Sequence, residues 1–492
     1  MNFFADLSWW TLFVWTGRLV GVALMPAVLL QRSTRPLATL VWILSLLFLP
    51  YLGALAWWLV GRDTIKRRRR RHYRARKEMA TKVGSLEQSI FFPAPTLQED
   101  RPTDVDPRFA LVTRNEFNIF PATGTKNQVV IFSTSAKAFD GFETAIQNAQ
   151  DHIHFQFYIW KADRVGTRFR DLLVEKARAG LEVRVLFDAI GGASIDREFT
   201  RPLREAGAKV ATFLPVYIWE RRLRVNFRNH RKILIIDGKC GFTGGVNVAD
   251  EYLEWRDMAL GFQGPVVQQM QEVFAEDWFF ATKEDLATEA YFPLIENSGR
   301  DYLPDDSGFC DVPARFVASG PDDPLQTIHK MFFFAIINAQ ERIDIVTPYF
   351  VPDGAVFTAL QTAAMQGVQI RIILPGKTDV LLAQYAGRSF WESLLEVGVK
   401  LYEYEESILH AKLLLLDNTH SLIGSANMDV RSFRLNFEAN AVIEDQGVNL
   451  ALSEVFEDLL QKSSQIRLHE FRQRSRKERL FEGTARLFSP LL

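Results

Sequence analysis

The hydrophobic pattern divides the chain into an apolar beginning and a long alternating remainder. Residues 7–30 (LSWWTLFVWTGRLVGVALMPAVLL) carry one charge, Arg18, and residues 37–60 (LATLVWILSLLFLPYLGALAWWLV) carry none. A helix crosses a bilayer with about 20 apolar residues, so the pattern predicts a membrane hairpin over residues 1–62. Pro50 and Gly53 kink such a helix but are tolerated in lipid. The Trp pairs at 9–10 and 57–58 suit interfacial aromatic belts. Arg18 costs about 2.5–3.5 kcal/mol at mid-bilayer. The neighbouring Leu, Val, Phe and Trp offset that cost; the competing reading makes the first segment a shallow arm beside a single span. A cleavable signal peptide fits poorly, because Met1–Asp6 holds no Lys or Arg and no Ala-x-Ala site follows.

Beyond residue 62 the pattern changes twice. Ten Lys or Arg fall between Arg62 and Lys77, which by the positive-inside rule puts everything downstream in the cytoplasm. The amino terminus is then also inside, with Arg32 and Arg35 in a short outer loop. Beside a spanning segment such a run attracts anionic lipid headgroups, at about 1 kcal/mol per residue, rather than nucleic acid. Residues 63–110, with Pro93, Pro95, Pro102 and Pro107 and little periodicity, form a basic segment and linker.

The remainder echoes itself. AIQNAQDHIHFQFYIW (145–160) aligns with AIINAQERIDIVTPYF (335–350), and GLEVRVLF (180–187) with GVQIRIIL (367–374). Short apolar runs such as VRVLF, RIIL, KILIID and KLLLLD alternate with helical stretches, as in α/β units with strands covered on both faces. The expected fold is α/β: two pseudo-symmetric halves, 111–290 and 310–492, with mixed sheets flanked by helices, joined through 290–318. Pseudo-twofold pairing would bring the ends of equivalent strands to one seam. The tail, 465–492, is amphipathic and Arg-rich; it packs on the domain or touches the membrane surface, and no chemistry is assigned to it.

Composition adds an aromatic load of 39 Phe and 11 Trp, and a net charge of −1 that conceals the basic cluster. Cys240 and Cys310 are the only cysteines; they make a disulfide framework improbable, favour a reducing compartment and give no zinc pattern.

Chemistry lies in a signature that occurs twice. The first copy is His230, Lys232, Asp237, Gly244, Gly245 and Asn247; the second is His410, Lys412, Asp417, Gly424, Ser425 and Asn427. The internal spacing is identical and the copies lie 180 residues apart. A lone histidine in an apolar strand is usually a core residue; the repetition reverses that expectation. Strand alternation points His and Lys at i and i+2 to one side. Asp237 and Asp417 follow at turns, where hydrogen bonding or charge balance suits them better than proton transfer. The glycine turns then bring Asn247 and Asn427 to the same pocket, where their amides can donate to phosphate oxygens. Two histidines, two lysines and two asparagines can enclose one phosphodiester without a metal, and no acidic or His cluster has metal-ligand spacing.

The pattern is that of the phospholipase D superfamily, and the full layout resembles the bacterial cardiolipin synthases. LPYLGALAWWLVGR, NFRNHRKILIIDG, FTGGVNVADEYL, TPYFVPD, ILHAKLLLLD and GSANMDVRSFRLNFE carry that likeness from about residue 35 onward. The paired signatures alone reach only the superfamily, which includes nucleases; the hairpin, TPYFVPD and NMDVRSFRLNFE narrow it. The resemblance implies two phospholipase D-like domains in a multi-pass protein of the bacterial inner membrane, acting on phosphatidylglycerol with neither cofactor nor metal. It implies phosphatidyl transfer through a phosphatidyl-histidine, with His230 as nucleophile and His410 as general acid/base. Lys232, Lys412, Asn247 and Asn427 would neutralise the equatorial oxygens. Asp257 and Glu438, 27 and 28 residues after the histidines of their own halves, match the superfamily's orienting carboxylates. One departure stands out: DEYLEWRDMAL is shortened, with Met258-Ala259 where the family usually has Thr-His. This puts the acceptor pocket in question while keeping the acid. Arg431 and Ser432 receive no derived role. A hydrolase of the same superfamily and a non-catalytic membrane scaffold are the competing readings; the hairpin weighs against a nuclease, and two intact signatures against a scaffold.

Overall fold

A computed structural model describes residues 9–31, 36–57, 126–214, 227–293, 302–304 and 308–491. The basic run and the linker lie outside the described residues. The amino-terminal unit and the larger body are separate units.

In the amino-terminal unit, helix Trp9–Gln31 contains Thr11–Leu30, long and apolar enough to cross a membrane. The second apolar segment, read from sequence as one kinked span, is broken. Helices Pro36–Phe48 and Pro50–Ala56 meet at Leu49, whose φ of −131° and ψ of 61° lie outside the helical region. The cause is Pro50, whose ring restricts the preceding residue and which starts the next helix at its first position. The segments touch within this unit: Tyr51 donates to the Phe13 carbonyl at 2.8 Å, and its ring stacks on Phe13. Gly21 permits the approach, since a Cβ there would lie 2.5 Å from the Leu46 carbonyl oxygen.

The larger body holds two sheets. The first has the order 209–213, 182–188, 152–157, 233–236, 240–244, 259–263, 127–132, 308–312. Strands 152–157, 182–188 and 209–213 run parallel, and 233–236, 240–244 and 259–263 form an antiparallel meander against them. The second repeats the scheme: 342–346, 369–375 and 400–404 parallel, with 413–416, 420–424, 436–444 and 314–319 antiparallel. Strand Gly308–Val312, from the connection between the halves, closes the edge of the first sheet against 127–132. One cluster of buried side chains is common to both halves, drawing Phe274 and Trp278 from helix Val266–Thr282 and Leu452 and Phe456 from helix Gln446–Gln461.

The backbone also crosses between the halves. Arg228 and Asn229 pair in parallel with Asn436 and Phe437, and Arg256 bridges to Leu409. His230 donates its N–H to the Phe437 carbonyl at 2.9 Å, and His410 to that of Arg256 at 2.8 Å. Each signature histidine is thus fixed to the other half one residue before that half's acid.

Asp237 and Asp417 stand at the far ends of the signature strands, both with positive φ (55° and 51°). Asp237 accepts from the backbone N–H groups of Gln150, Asp151 and His152, and from the Tyr302 hydroxyl. Asp417 accepts from those of Gln340, Glu341 and Arg342. Each carboxylate ties its turn to the start of the adjacent strand. We predict that Asp417→Asn, which tolerates left-handed backbone but accepts fewer bonds, destabilises the protein by about 1–2 kcal/mol. Asp417→Ala should cost clearly more, having neither the acceptor nor the conformational tolerance. Thermal unfolding in detergent gives the ranking; equal effects would remove the backbone component.

Candidate active site

The crossed pairing assembles the site from both halves, and the signature residues lie in the extended segments just before the strands rather than in them. His230 and Lys232 precede strand Ile233–Ile236; His410 and Lys412 precede Leu413–Leu416. All four side chains are buried. The orienting contacts cross the seam: His230 Nδ1 lies 3.0 Å from Glu438 Oε2, and His410 Nδ1 lies 2.6 Å from Asp257 Oδ2. A neutral imidazole donating from Nδ1 to a carboxylate keeps its lone pair on Nε2, the atom needed for attack or proton transfer.

The two carboxylates are held differently. Glu438 also accepts from the Ser425 hydroxyl at 2.5 Å and from Asn436 Nδ2 at 2.9 Å. Asp257 takes the Met258 N–H at 2.8 Å. Gly245 and Ser425 are equivalent positions, and the difference is steric: a Cβ on Gly245 would stand 2.1 Å from Asp257 Oδ1. The shorter acid sits over a glycine; the longer one leaves space for a serine that donates to it.

The lysines fold back onto their histidines. Lys232 Nζ donates to the His230 carbonyl at 2.7 Å and sits 5.4 Å from the Tyr158 ring centre. Lys412 Nζ donates to the His410 carbonyl and lies 2.9 Å from His410 Nδ1. That nitrogen cannot both donate to Asp257 and accept from lysine. The shorter, charge-assisted contact to Asp257 takes the proton, which leaves the lysine contact electrostatic.

Asn247 and Asn427 are both buried beside the histidine strands. Asn247 accepts from the Ile159 N–H at 3.0 Å and donates to the Tyr252 hydroxyl at 2.6 Å, so much of its amide is spent inside the protein. Asn427 donates to Asp429 at 3.2 Å, while its Oδ1 is buried with no hydrogen-bond partner. Aromatic rings wall the two histidines: Tyr158 lies 4.8 Å from His230, and Tyr252 and Trp255 lie 5.5 and 5.3 Å from His410. Sequence reasoning passed over Tyr158, Tyr252 and Trp255. The only signal was their place beside the signature blocks, since aromatic residues are common in any core. Arg231, between His230 and Lys232, is buried and bonds Asp277 at 2.8 Å and the Ser319 and Glu438 carbonyls; its counterpart in the second copy is Ala411.

The site crowds two lysines and two carboxylates around two imidazoles in a buried place. Burial holds both imidazoles at about 4, against the opposing pull of Glu438 on His230 and of Asp257 on His410. Burial and then the charge of Lys412 push Lys232 well below its usual range. Lys412 is lowered to about 8 by burial, with Asp257 and Glu438 resisting. Burial raises the Glu438 carboxyl but is outweighed by His230, Lys232 and Ser425, so it stays below the usual range. Crowded, partly discharged cations gain most when a phosphate anion arrives. No group of three or more His, Cys, Asp or Glu with metal-binding geometry occurs among the described residues.

Two buried histidines, each held through Nδ1 by a carboxylate, with two lysines folded against them, make up a phosphodiester-transfer centre of the phospholipase D type. The comparisons then give the family. Residues 142–278 and 333–460 match the model described as "Cardiolipin synthase, PLD-like domain", and residues 19–62 match "Phospholipase_D-nuclease N-terminal". "Cardiolipin synthase 2" of Bacillus anthracis is 35% identical over 96% of this chain and 90% of its own length. "Cardiolipin synthase" of Geobacillus thermodenitrificans is 34% identical over 97% and 95%. The chain belongs to the cardiolipin synthase family of phospholipase D-like proteins. Among solved structures, the phosphatidylserine synthase of Haemophilus influenzae shares the fold, with a TM-score of 0.58 over 78% of this chain and all of its own, at 17% identity.

The lysine positions make a pH prediction. With Lys412 at about 8, its positive charge is present below that pH and lost above it. For a soluble short-chain phosphodiester, kcat/KM should fall as pH rises through about 8. Lys412→Arg, whose guanidinium stays charged past pH ~12, should lower the rate but remove that alkaline limb. A limb unmoved by the substitution would assign it to another group.

Proposed function

We propose that the protein joins two phosphatidylglycerol molecules into cardiolipin and glycerol. The observation that carries this reading is the pair of signature histidines, each oriented by the opposite half's carboxylate, in a chain whose cardiolipin synthase relatives match it over nearly its whole length. The anionic phosphodiester beside His410 opposes the burial that keeps this imidazole neutral, and the ring takes up a proton from solvent on Nε2 as the lipid binds. His230 Nε2 then attacks the phosphorus of the first lipid, and the bond to the glycerol oxygen breaks as His410 passes that proton to it. The phosphatidyl group is then on His230, and His410 holds the lone pair. It takes the proton from the terminal hydroxyl of a second phosphatidylglycerol, whose oxygen attacks phosphorus. The P–N bond breaks, cardiolipin leaves and His230 is restored.

The residues divide that work. Glu438 steadies the Nδ1–H of His230 and offsets the charge that grows on the ring during attack; Asp257 does the same for His410 as it cycles its proton. Lys232 and Lys412 stabilise the equatorial oxygens as the phosphorus becomes five-coordinate. Asn427 donates to one of them through the Nδ2 proton that it does not give to Asp429. The enclosure limits water as a competing acceptor, which separates transfer from hydrolysis. The apolar amino-terminal segments form a membrane hairpin, and the basic run holds the catalytic body on the cytoplasmic side of the inner membrane and gathers anionic lipid there.

The test uses full-length protein in vesicles of phosphatidylglycerol. Cardiolipin and free glycerol should rise together, unchanged by EDTA, and both should vanish in His230→Ala. His410→Ala should turn over a labelled phosphatidyl-enzyme slowly, whereas His230→Ala should form none. Phosphatidic acid in place of cardiolipin would make the protein a hydrolase, and the opposite labelling pattern would exchange the two histidines.

A further inference from the structure

Near the carboxyl end, one helix is turned inside out with respect to its own polarity. Helix Arg476–Arg486 opens with a capping box made by Ser475 and Glu478. A helix packed on a soluble domain normally turns its apolar side inward. Here the inward residues are Ala485 and Glu482, and Glu482 is 2% exposed. Its carboxylate bonds Arg388 Nε at 3.1 Å and Arg474 Nε at 2.9 Å. The outward residues are Leu480 (71% exposed), Phe481 (62%), Leu487 (78%) and Phe488 (45%). Leu487, the C-cap residue with helical backbone angles, continues the line of Leu480 at i+7, and Phe488 lies in the turn just past the helix.

The stripe is not isolated. The ring of Phe481 lies 6.1 Å from that of Tyr385, on helix Leu381–Glu396. That helix begins with Leu381 and Leu382, themselves 65% and 43% exposed. Just before it, Asp379 accepts the Tyr349 hydroxyl at 2.7 Å. Tyr349 leads directly into strand Phe350–Val351, which pairs with Met428 and Asp429 immediately after Asn427. The apolar face therefore continues toward the candidate active site. Its margin is basic: Arg476, Lys477, Arg479 and Arg486 are all exposed on the same helix.

We propose that this face, from Leu381 and Leu382 to Leu480, Phe481, Leu487 and Phe488, is a bilayer-docking surface that lies in the headgroup region of an anionic membrane. An exposed apolar patch rimmed by Arg and Lys fits an interface that is apolar within and negative at its edge. A protein partner would complement the apolar stripe equally, but the four exposed cations at this end outnumber Asp379, exposed at the Leu381 end, and so favour an anionic surface. Docking here places the seam over the lipid headgroups, so that substrate passes from the bilayer to the histidines over a short path. The inference rests on the lipid-transfer reading for its purpose, but the surface itself is tested independently.

Full-length protein in mixed phosphatidylglycerol and phosphatidylcholine vesicles would carry an environment-sensitive dye at Leu480→Cys or Leu487→Cys, with Cys310→Ser removing the exposed native thiol. Leu450→Cys is the control, an equally exposed leucine on an acidic helix face with Glu454, Glu457 and Asp458. Headgroup spin labels should quench the dye at 480 and 487 several-fold more than at 450. Equal quenching at all three positions overturns the proposal. So does shielding of 480 and 487 from aqueous quencher without lipid quenching, which would assign the face to a second chain. A triple variant, Leu480→Ser with Phe481→Ser and Leu487→Ser, should lose roughly tenfold on vesicle lipid, a modest part of what burying three such side chains is worth. It should retain turnover of a soluble diester. Equal loss on both substrates would make the face a folding element and overturn the proposal. If the unaltered protein forms no cardiolipin, the functional reading fails while the quenching contrast still decides the surface.

Discussion

The exchange of carboxylates across the seam is the constraint on which the rest depends. Neither half orients its own signature histidine: His230 is held by Glu438, and His410 by Asp257. A deviation of a fraction of an ångström between the halves would release both rings at once. The structure guards against this at three levels. The backbone pairs across the seam next to each acid, Arg231 reaches from the first half to the Glu438 and Ser319 carbonyls, and one hydrophobic cluster is common to both sheets. Separating the halves would expose that shared core and leave two buried acids unpaired, so cohesion and catalytic geometry are kept by the same contacts.

The pseudo-symmetry is close but not complete, and its departures are ordered. The first signature has arginine between histidine and lysine, where the second has alanine. That arginine enters a buried polar set with Asp277, which also takes the amides of Asn229 and Gln156. The second signature instead has serine at the glycine turn, bonded to Glu438. Both departures converge on His230 and its acid, which are more heavily buttressed than His410 and Asp257. A residue that forms and breaks a bond to phosphorus gains from rigidity, whereas one that shuttles a proton must adapt to two different oxygens. The asymmetry agrees with the proposed division of labour.

Much of this could be read before any fold was known, because the relevant information is periodic. The repeated signature, the echoing AIQNAQ and AIINAQ blocks and the two-sided apolar strands all encode a doubled α/β body. Asp257 and Glu438 could be picked out by their spacing, but the direction of their service could not: crossing is a property of how the halves meet, and distance along the chain says nothing of it. The break at Pro50 was visible as a proline, yet whether a proline bends or divides a helix depends on the backbone before it, here Leu49. The outward stripe on Arg476–Arg486 was legible as amphipathic; which side faced the protein was decided by Glu482 finding Arg388 and Arg474. Pattern reveals that a helix has two faces and is silent on which one the neighbours want.

The crossed pairing also sets a timetable. The amino-terminal apolar segments leave the ribosome first, and His230 follows long before Glu438, 208 positions later. Through all that time the nascent chain has its first histidine but nothing to aim it, and its first carboxylate but nothing for it to aim. A truncated or stalled product is consequently inert toward the lipids around it. Competence arrives late and in a single step, when strand Asn436–Glu444, which carries Glu438, is laid into the second sheet. A bilayer is thereby spared an unfinished enzyme able to cut phosphodiesters but not yet able to choose what replaces them.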